Sequence, residues 1–216
     1  MLEMAETSCQ IRVLDVGCGS GNSLHDELQL HYTGLEPGRH IEMVGVDIDP
    51  DSLESAKKNY PQFLFVHAKG ERLPFPDQSF DAVISRVAVP YMDIPVALSE
   101  MRRVLKPGGE LRIKLHPLSF TLLELHEELH SGSLRSRVQN LLYRSYVLTN
   151  GMVFHLSGSN FHFPLARHRC ESFQTQSGTR RALLAAGFQQ IDTSCWDEKA
   201  VWPHAGNCSA LARRCN

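Results

Sequence analysis

The stretch "RVLDVGCGSGN", residues 12–22, decides how this chain folds. An apolar run ends in an acid, and three alternate glycines, Gly17, Gly19 and Gly21, follow it. A short apolar run closed by glycine reads as a buried strand, here residues 11–17. Glycines between a strand and a helix let backbone N–H groups and the helix N-terminus face a polar ligand, with no side chain to hold that ligand away. A turn that only packs strand on helix would use the same residues, so the stretch needs company before it names a ligand.

Working outward, residues 22–32 carry Leu24, Leu28 and Leu30 among polar neighbours and predict a helix, which ends before the Gly- and Pro-rich loop "TGLEPGRH". "IEMVGVDID" (41–49) reads as a second strand, and "PDSLESAKKNYP" (50–61) as a helix that opens on proline. Strands follow at 62–68, 79–87 and 109–116, with an amphipathic helix at 96–105. This alternation predicts an α/β fold with a parallel sheet covered on both faces. From residue 117 to about 170 the rhythm breaks. Two helical patterns (118–130 and 134–145) precede "GMVFHLSGSNFHFPL" (151–165), which reads as a hairpin about residues 157–160. A helix at 177–188 capped by Gly187 and strands at 189–196 and 208–215 complete the chain. The expectation is one domain, 1–216, with 117–170 as an insertion or lid after the fifth strand.

The 216 residues suffice for one sizeable core, and 42% hydrophobic residues, 21% charged residues and a net charge of -2 are those of an ordinary globular protein. No basic stripe speaks for nucleic acid, and no apolar run approaches a membrane span. A cytoplasmic protein with no nucleic-acid or membrane partner is expected. The six cysteines (9, 18, 170, 195, 208, 215) form no CxxC pair, and the histidines of "FHF" (161–163) and "RHRC" (167–170) lack metal-ligand spacing, so reduced thiols and no metal are expected.

Two cofactor classes compete for the glycine loop. A dinucleotide fingerprint, GxGxxG, wants its third glycine where Asn22 stands, which disfavours a nicotinamide cofactor. Asp47, at the carboxyl end of the second strand, can accept both hydroxyls of a ribose, and Ile48 after it can press on a base. Either cofactor class contains a nucleoside.

Further along, "HAKGERLPFPDQSFDAVIS" (67–85) and "EMRRVLKPGGEL" (100–111) follow "VLDVGCGSGN" and "VGVDID" in order. With these four motifs the chain resembles the class I S-adenosylmethionine-dependent methyltransferases, of the group that includes ubiquinone and menaquinone biosynthesis enzymes. The resemblance implies a Rossmann-like, seven-stranded, mostly parallel sheet and S-adenosylmethionine as cofactor. It places Asp15 and the backbone of Gly17, Cys18, Gly19 and Gly21 around the methionyl part, with Asp15 meeting the amino group directly or through water. It gives Asp47 the ribose, Ile48 an adenine face, and Lys69, Gly70 and Glu71 the adenine edge. Ser85 and Arg86 would border the methionyl carboxylate and the sulfonium. Two positions depart from the family pattern: Lys69 stands where an acid commonly meets the adenine amino group, and only about ten residues precede the first strand, where relatives have covering helices. The cover is expected from the insertion or from another subunit, unless the chain is a truncated form.

Methyl transfer from a sulfonium is an in-line displacement, so positioning in a dry pocket matters most, and a base is needed only for an acceptor that must lose a proton. His116 and Tyr91 are the candidate catalytic residues, as base and pocket wall, against the alternative of local packing. Tyr143, Tyr146, Phe154, His155, Phe161, His162 and Phe163 either line an acceptor pocket or form the insertion's own small core. The leading expectation is transfer to a small-molecule acceptor. A protein that binds S-adenosylmethionine or S-adenosylhomocysteine without transfer, and a nicotinamide-dependent dehydrogenase, are the alternatives. A homodimer is compatible with the sequence.

Overall fold

A computed structural model of the chain describes residues 10–32, 40–130, 133–161, 171–194 and 209–215. The loop at 33–39, His162 and Phe163, the "RHRC" segment, the end of the expected sixth strand and cysteines 9, 170, 195 and 208 lie outside the described residues.

The elements run β1 (Gln10–Val16), α1 (Asn22–His31), β2 (His40–Asp47), α2 (Pro50–Asn59), β3 (Leu64–His67), β4 (Phe80–Arg86), α3 (Ile94–Val104) and β5 (Leu105–Lys114). Next come α4 (Leu118–His130), α5 (Leu134–Ser157), α6 (Gln176–Ala185), β6 (Gln189–Asp192) and β7 (Ser209–Arg213). The strands form one sheet in the order β3-β2-β1-β4-β5-β7-β6, with β7 antiparallel to β5 and to β6. The expected seven-stranded, mostly parallel sheet is therefore the observed one.

Each central strand is buried on both faces, which is why β1 and β4 read as near-continuous apolar runs. On one face Leu24 of α1 and Leu53 and Ala56 of α2 pack with Val13, Met43 and Phe65. On the other, Ile94, Leu98 and Met101 of α3 and Leu183 of α6 pack with Leu14, Val83 and Leu111. The strand order reverses direction at β1, which lies between β2 and β4. In open α/β sheets a ligand crevice forms at such a point, beyond the carboxyl ends of the strands.

Of the hairpin expected at 151–165, residues 151–157 are helical instead, and residues 162–165 lie outside the described residues. Helix α5 runs 24 residues through Gly151 to Ser157 and stops at Gly158, whose φ of +76° lets its N–H reach the Phe154 carbonyl at 2.8 Å. Gly151 is small because the Phe173 ring lies where its Cβ would be, so it serves a close approach instead of a turn. Asn160 then fixes the chain to the sheet domain, accepting from the Ile94 N–H at 2.9 Å and donating to the Met92 carbonyl at 2.7 Å.

Candidate functional site

Beyond the carboxyl ends of β1, β2, β4 and β5 lie two adjoining cavities of about 540 and 590 Å³, which share Gly17, Arg86, Val87 and Tyr91 as walls. The first is lined by Asp47, Ile48, Lys69, Gly70, Glu71 and Met92, the second by Cys18, Gly19, Ser23, Lys114, His116 and Phe120. A smaller cavity of about 330 Å³ between α1 and β7 is bordered by the Arg112–Glu27 ion pair and lies away from Asp47.

The glycines of the loop have different reasons to be there. Gly17 has φ +79°, and a Cβ on it would overlap the Cβ of Ala88. Gly19 has φ +51° with no atom within 4 Å of a Cβ position, so it is bare toward open space. Thus the packing explanation holds at Gly17 and the ligand explanation is left at Gly19. The loop is tied down by Gly17 and Cys18 N–H groups donating to the Val46 carbonyl at 2.7 and 3.0 Å. Helix α1 begins at Gly21 with no side-chain cap and no acid in its first turn, so its positive end is not neutralised from within.

Asp47 accepts from the Gly19 N–H at 2.7 Å through Oδ2 and from the Asp49 N–H at 2.9 Å through Oδ1. These bonds orient the carboxylate and leave a second lone pair on each oxygen for a diol. Ile48 is 58% exposed at the cavity wall, an unusual place for a large apolar side chain unless an apolar ring covers it. Cys18 is buried, and burial holds its thiol protonated, well above its ordinary range.

Asp15 is fully buried and lines neither cavity. Its Oδ2 accepts from the Ser23 hydroxyl, while Oδ1 has no hydrogen-bond partner among the described residues. Burial pushes its carboxyl up to about 7, against the Ser23 hydrogen bond and the Arg86 charge. Its link to the second cavity runs through the Ser23 hydroxyl, which lines that cavity.

Ser85 is also sealed, its hydroxyl donating to the Val16 carbonyl at 2.7 Å, so it fastens β4 to β1 and lines neither cavity. Arg86 lines both cavities but pairs with Asp26 at 2.8 Å. Glu71 accepts the Asp93 N–H at 3.1 Å and so holds the entrance to α3. Lys69 and Gly70 line the first cavity, Gly70 being small because a Cβ would meet the Met92 Sδ at 2.6 Å.

His116 and Tyr91 lie together, their rings 5.8 Å apart edge to face, and the Phe120 ring is 4.5 Å from that of His116. Burial pulls the imidazole down to about 4. At neutral pH His116 is therefore an uncharged hydrogen-bonding group and a weak base.

Of the insertion's aromatic residues, Phe154 is in the main core, Tyr146 stacks edge-on with Phe161, and His155 bonds Thr175 at 2.9 Å. Tyr143 bonds Glu171. None of these lines either cavity, which favours the small-core reading over the pocket reading. The insertion reaches the second cavity through Pro117 and Phe120 instead.

Sequence reading also missed Val87, which borders both cavities with φ +66°. A β-branched residue in that region carries strain on the order of 1–3 kcal/mol, and such strain concentrates at functional sites. No side-chain pattern announces it.

Residues 14–113 match the family model described as a methyltransferase domain. Among curated proteins, the chain is 35% identical over 112 residues to malonyl-[acyl-carrier protein] O-methyltransferase of Erwinia pyrifoliae, covering 51% of this chain and 39% of that protein. It is 34% identical over 99 residues to demethylmenaquinone methyltransferase of Chlorobaculum parvum, covering 45% and 38%. The match thus spans about two-fifths of the length of these relatives. Among solved structures, phosphoethanolamine N-methyltransferase 2 of Haemonchus contortus, in complex with S-adenosyl-L-methionine, superposes with a TM-score of 0.57 at 14% identity, covering 98% of this chain and 50% of that one.

Proposed function

We propose that this chain, whose residues 14–113 match the methyltransferase domain model, binds S-adenosylmethionine at the carboxyl edge of the sheet and transfers its methyl group to a small, partly apolar acceptor. The observation that carries this reading is Asp47, oriented by the Gly19 N–H beside the exposed Ile48, in a cavity that adjoins a second one walled by aromatic rings.

Bound there, the cofactor supplies an electrophilic methyl on a sulfonium. Asp47 accepts the ribose hydroxyls, Ile48 covers one face of the adenine, and Lys69 and Gly70 lie along its edge. The bare backbone at Gly19 lies beneath the methionyl part, with Ser23 relaying to the buried Asp15. Tyr91, Phe120 and Leu115 exclude water from the second cavity, so that an acceptor atom can be held in line with the methyl. His116, uncharged at neutral pH, accepts a hydrogen bond from an acceptor O–H or N–H and orients its lone pair. The named relatives act on acceptors of unlike chemistry, a malonyl-acyl-carrier protein and demethylmenaquinone, so the acceptor class here rests on the aromatic wall.

The test is turnover: the chain with S-adenosylmethionine and a panel of phenols, quinols and amines, following S-adenosylhomocysteine release. Acceptor-dependent release that Phe120→Ala weakens is expected. Tight cofactor binding without release on any acceptor would instead identify a cofactor-binding protein without transfer activity.

A further inference from the structure

Helix α5 turns Arg144, Val147, Asn150 and Phe154 inward. On the opposite side Leu134, Val138 and Leu142 stand at successive turns, 79%, 50% and 68% exposed, and beyond Ser145 and Thr149 the exposed Met152, Val153 and Leu156 form a second apolar patch on that side. A helix of 24 residues is about 36 Å long, and large apolar side chains on its outward face at both ends are the reverse of a solvated helix. Charge says what covers it. Helices α5 and α6 pack side by side and carry Arg135, Arg137, Arg144, Arg180 and Arg181 without one Asp or Glu, in a chain whose acids outnumber Lys and Arg 24 to 22. Arg144 is neutralised by Glu124 and Glu128 of α4, and the other four arginines are exposed. The exposed acid Glu127 belongs to α4. A second copy docked face to face would set these arginines against their like. A sheet of anionic headgroups above acyl chains offers both the opposite charge and apolar depth.

We propose that the outward face of α5 lies on an anionic lipid surface, its apolar stripe in the boundary layer and Arg135 and Arg137 among the headgroups. No helix among the described residues is long and apolar enough to cross a membrane, so the association is in the plane of the surface. Whole-chain composition misses this, because acids elsewhere average the patch away.

Co-flotation of the full chain with vesicles tests it, using phosphatidylcholine alone and phosphatidylcholine with roughly one-third phosphatidylglycerol. Retention on the anionic vesicles, weaker on the neutral ones and reduced by salt, is expected. The double variant Val138→Asp and Leu142→Asp should lower the partition about tenfold or more with an unchanged melting temperature, both side chains being exposed. Arg135→Gln with Arg137→Gln should weaken binding to the anionic vesicles alone. Failure to float with either vesicle, or flotation that the aspartate variant leaves intact, would overturn the proposal. So would a dimer in sedimentation velocity that the aspartate variant dissociates, since that would give the face to a second copy.

Discussion

The sheet half and the α4–α5 arm place their polar and apolar groups in opposite ways. Around β1, β2 and β4 the leucines and valines are inside and the working polar groups stand at the strand ends, oriented by backbone N–H groups, as Asp47 is by Gly19. In the arm a guanidinium is inside, gripped by Glu124, Glu128 and Glu171, and leucines are outside. A sheet buried on both faces pins side chains to one environment each. A helical arm attached along one side leaves its other face exposed; charge clamps its two helices together, and Phe154 anchors it in the main core.

Asp15 breaks that rule in the sheet half, and removing its charge should give the largest effect. Asp15 is buried with its carboxyl raised from 3.8 to about 7. Its proton leaves the unfolded chain near 3.8 but is held in the fold up to about 7, so the unfolded state binds fewer protons between these values and stability falls as pH rises. Carrying the charge above pH 7 costs on the order of 4 kcal/mol. Asp15→Asn should flatten that decline, seen as a urea midpoint that changes less than wild type between about pH 5 and pH 7.5.

Arg144→Met attacks the arm where it is inverted. Three carboxylates would be left facing one another, and loss of one partner from a buried ion cluster costs about 3 kcal/mol. Hydrogen exchange should show protection lost in α4 and α5 and retained in β1 and β4. Equal loss in both would mean that arm and sheet fold as one unit, and the contrast would be broken.

The two loop glycines sharpen the sheet side. Gly17→Ala must both adopt a positive φ and displace Ala88, which costs about 2 kcal/mol or more, readable as a lower melting temperature. Gly19→Ala meets open space and should cost only about 1 kcal/mol in stability. Its effect should appear instead in weaker binding of S-adenosylhomocysteine. If the two substitutions destabilise equally, the assignment of one glycine to packing and the other to the ligand fails.

How much of this was legible follows the same division. The strands and the helices between them were readable because each side chain in a doubly covered parallel sheet has one environment, and apolar runs ending in Gly or Asp mark strand ends. The arm was misread at residues 151–157, which read as the first strand of a hairpin, whereas α5 continues to Ser157. Nothing local says that Phe173, far along the chain, fills the space of the missing Cβ at Gly151. Motif matching grouped Asp15, Asp47 and Ser85 as ligand contacts, whereas burial separates them: of the three, only Asp47 opens on a cavity. Val87 and Phe120 were invisible because backbone strain and the return of α4 over the sheet edge are tertiary facts.

The central claim is that the bare loop and Asp47 hold S-adenosylmethionine. Titration calorimetry with S-adenosylhomocysteine tests it most directly, on the wild type and on Asp47→Ala. The account predicts one site per chain, about tenfold or more weaker in the variant, as expected for loss of charge-assisted hydrogen bonds to two hydroxyls, and no heat with NAD. Heat with NAD and none with S-adenosylhomocysteine would contradict it.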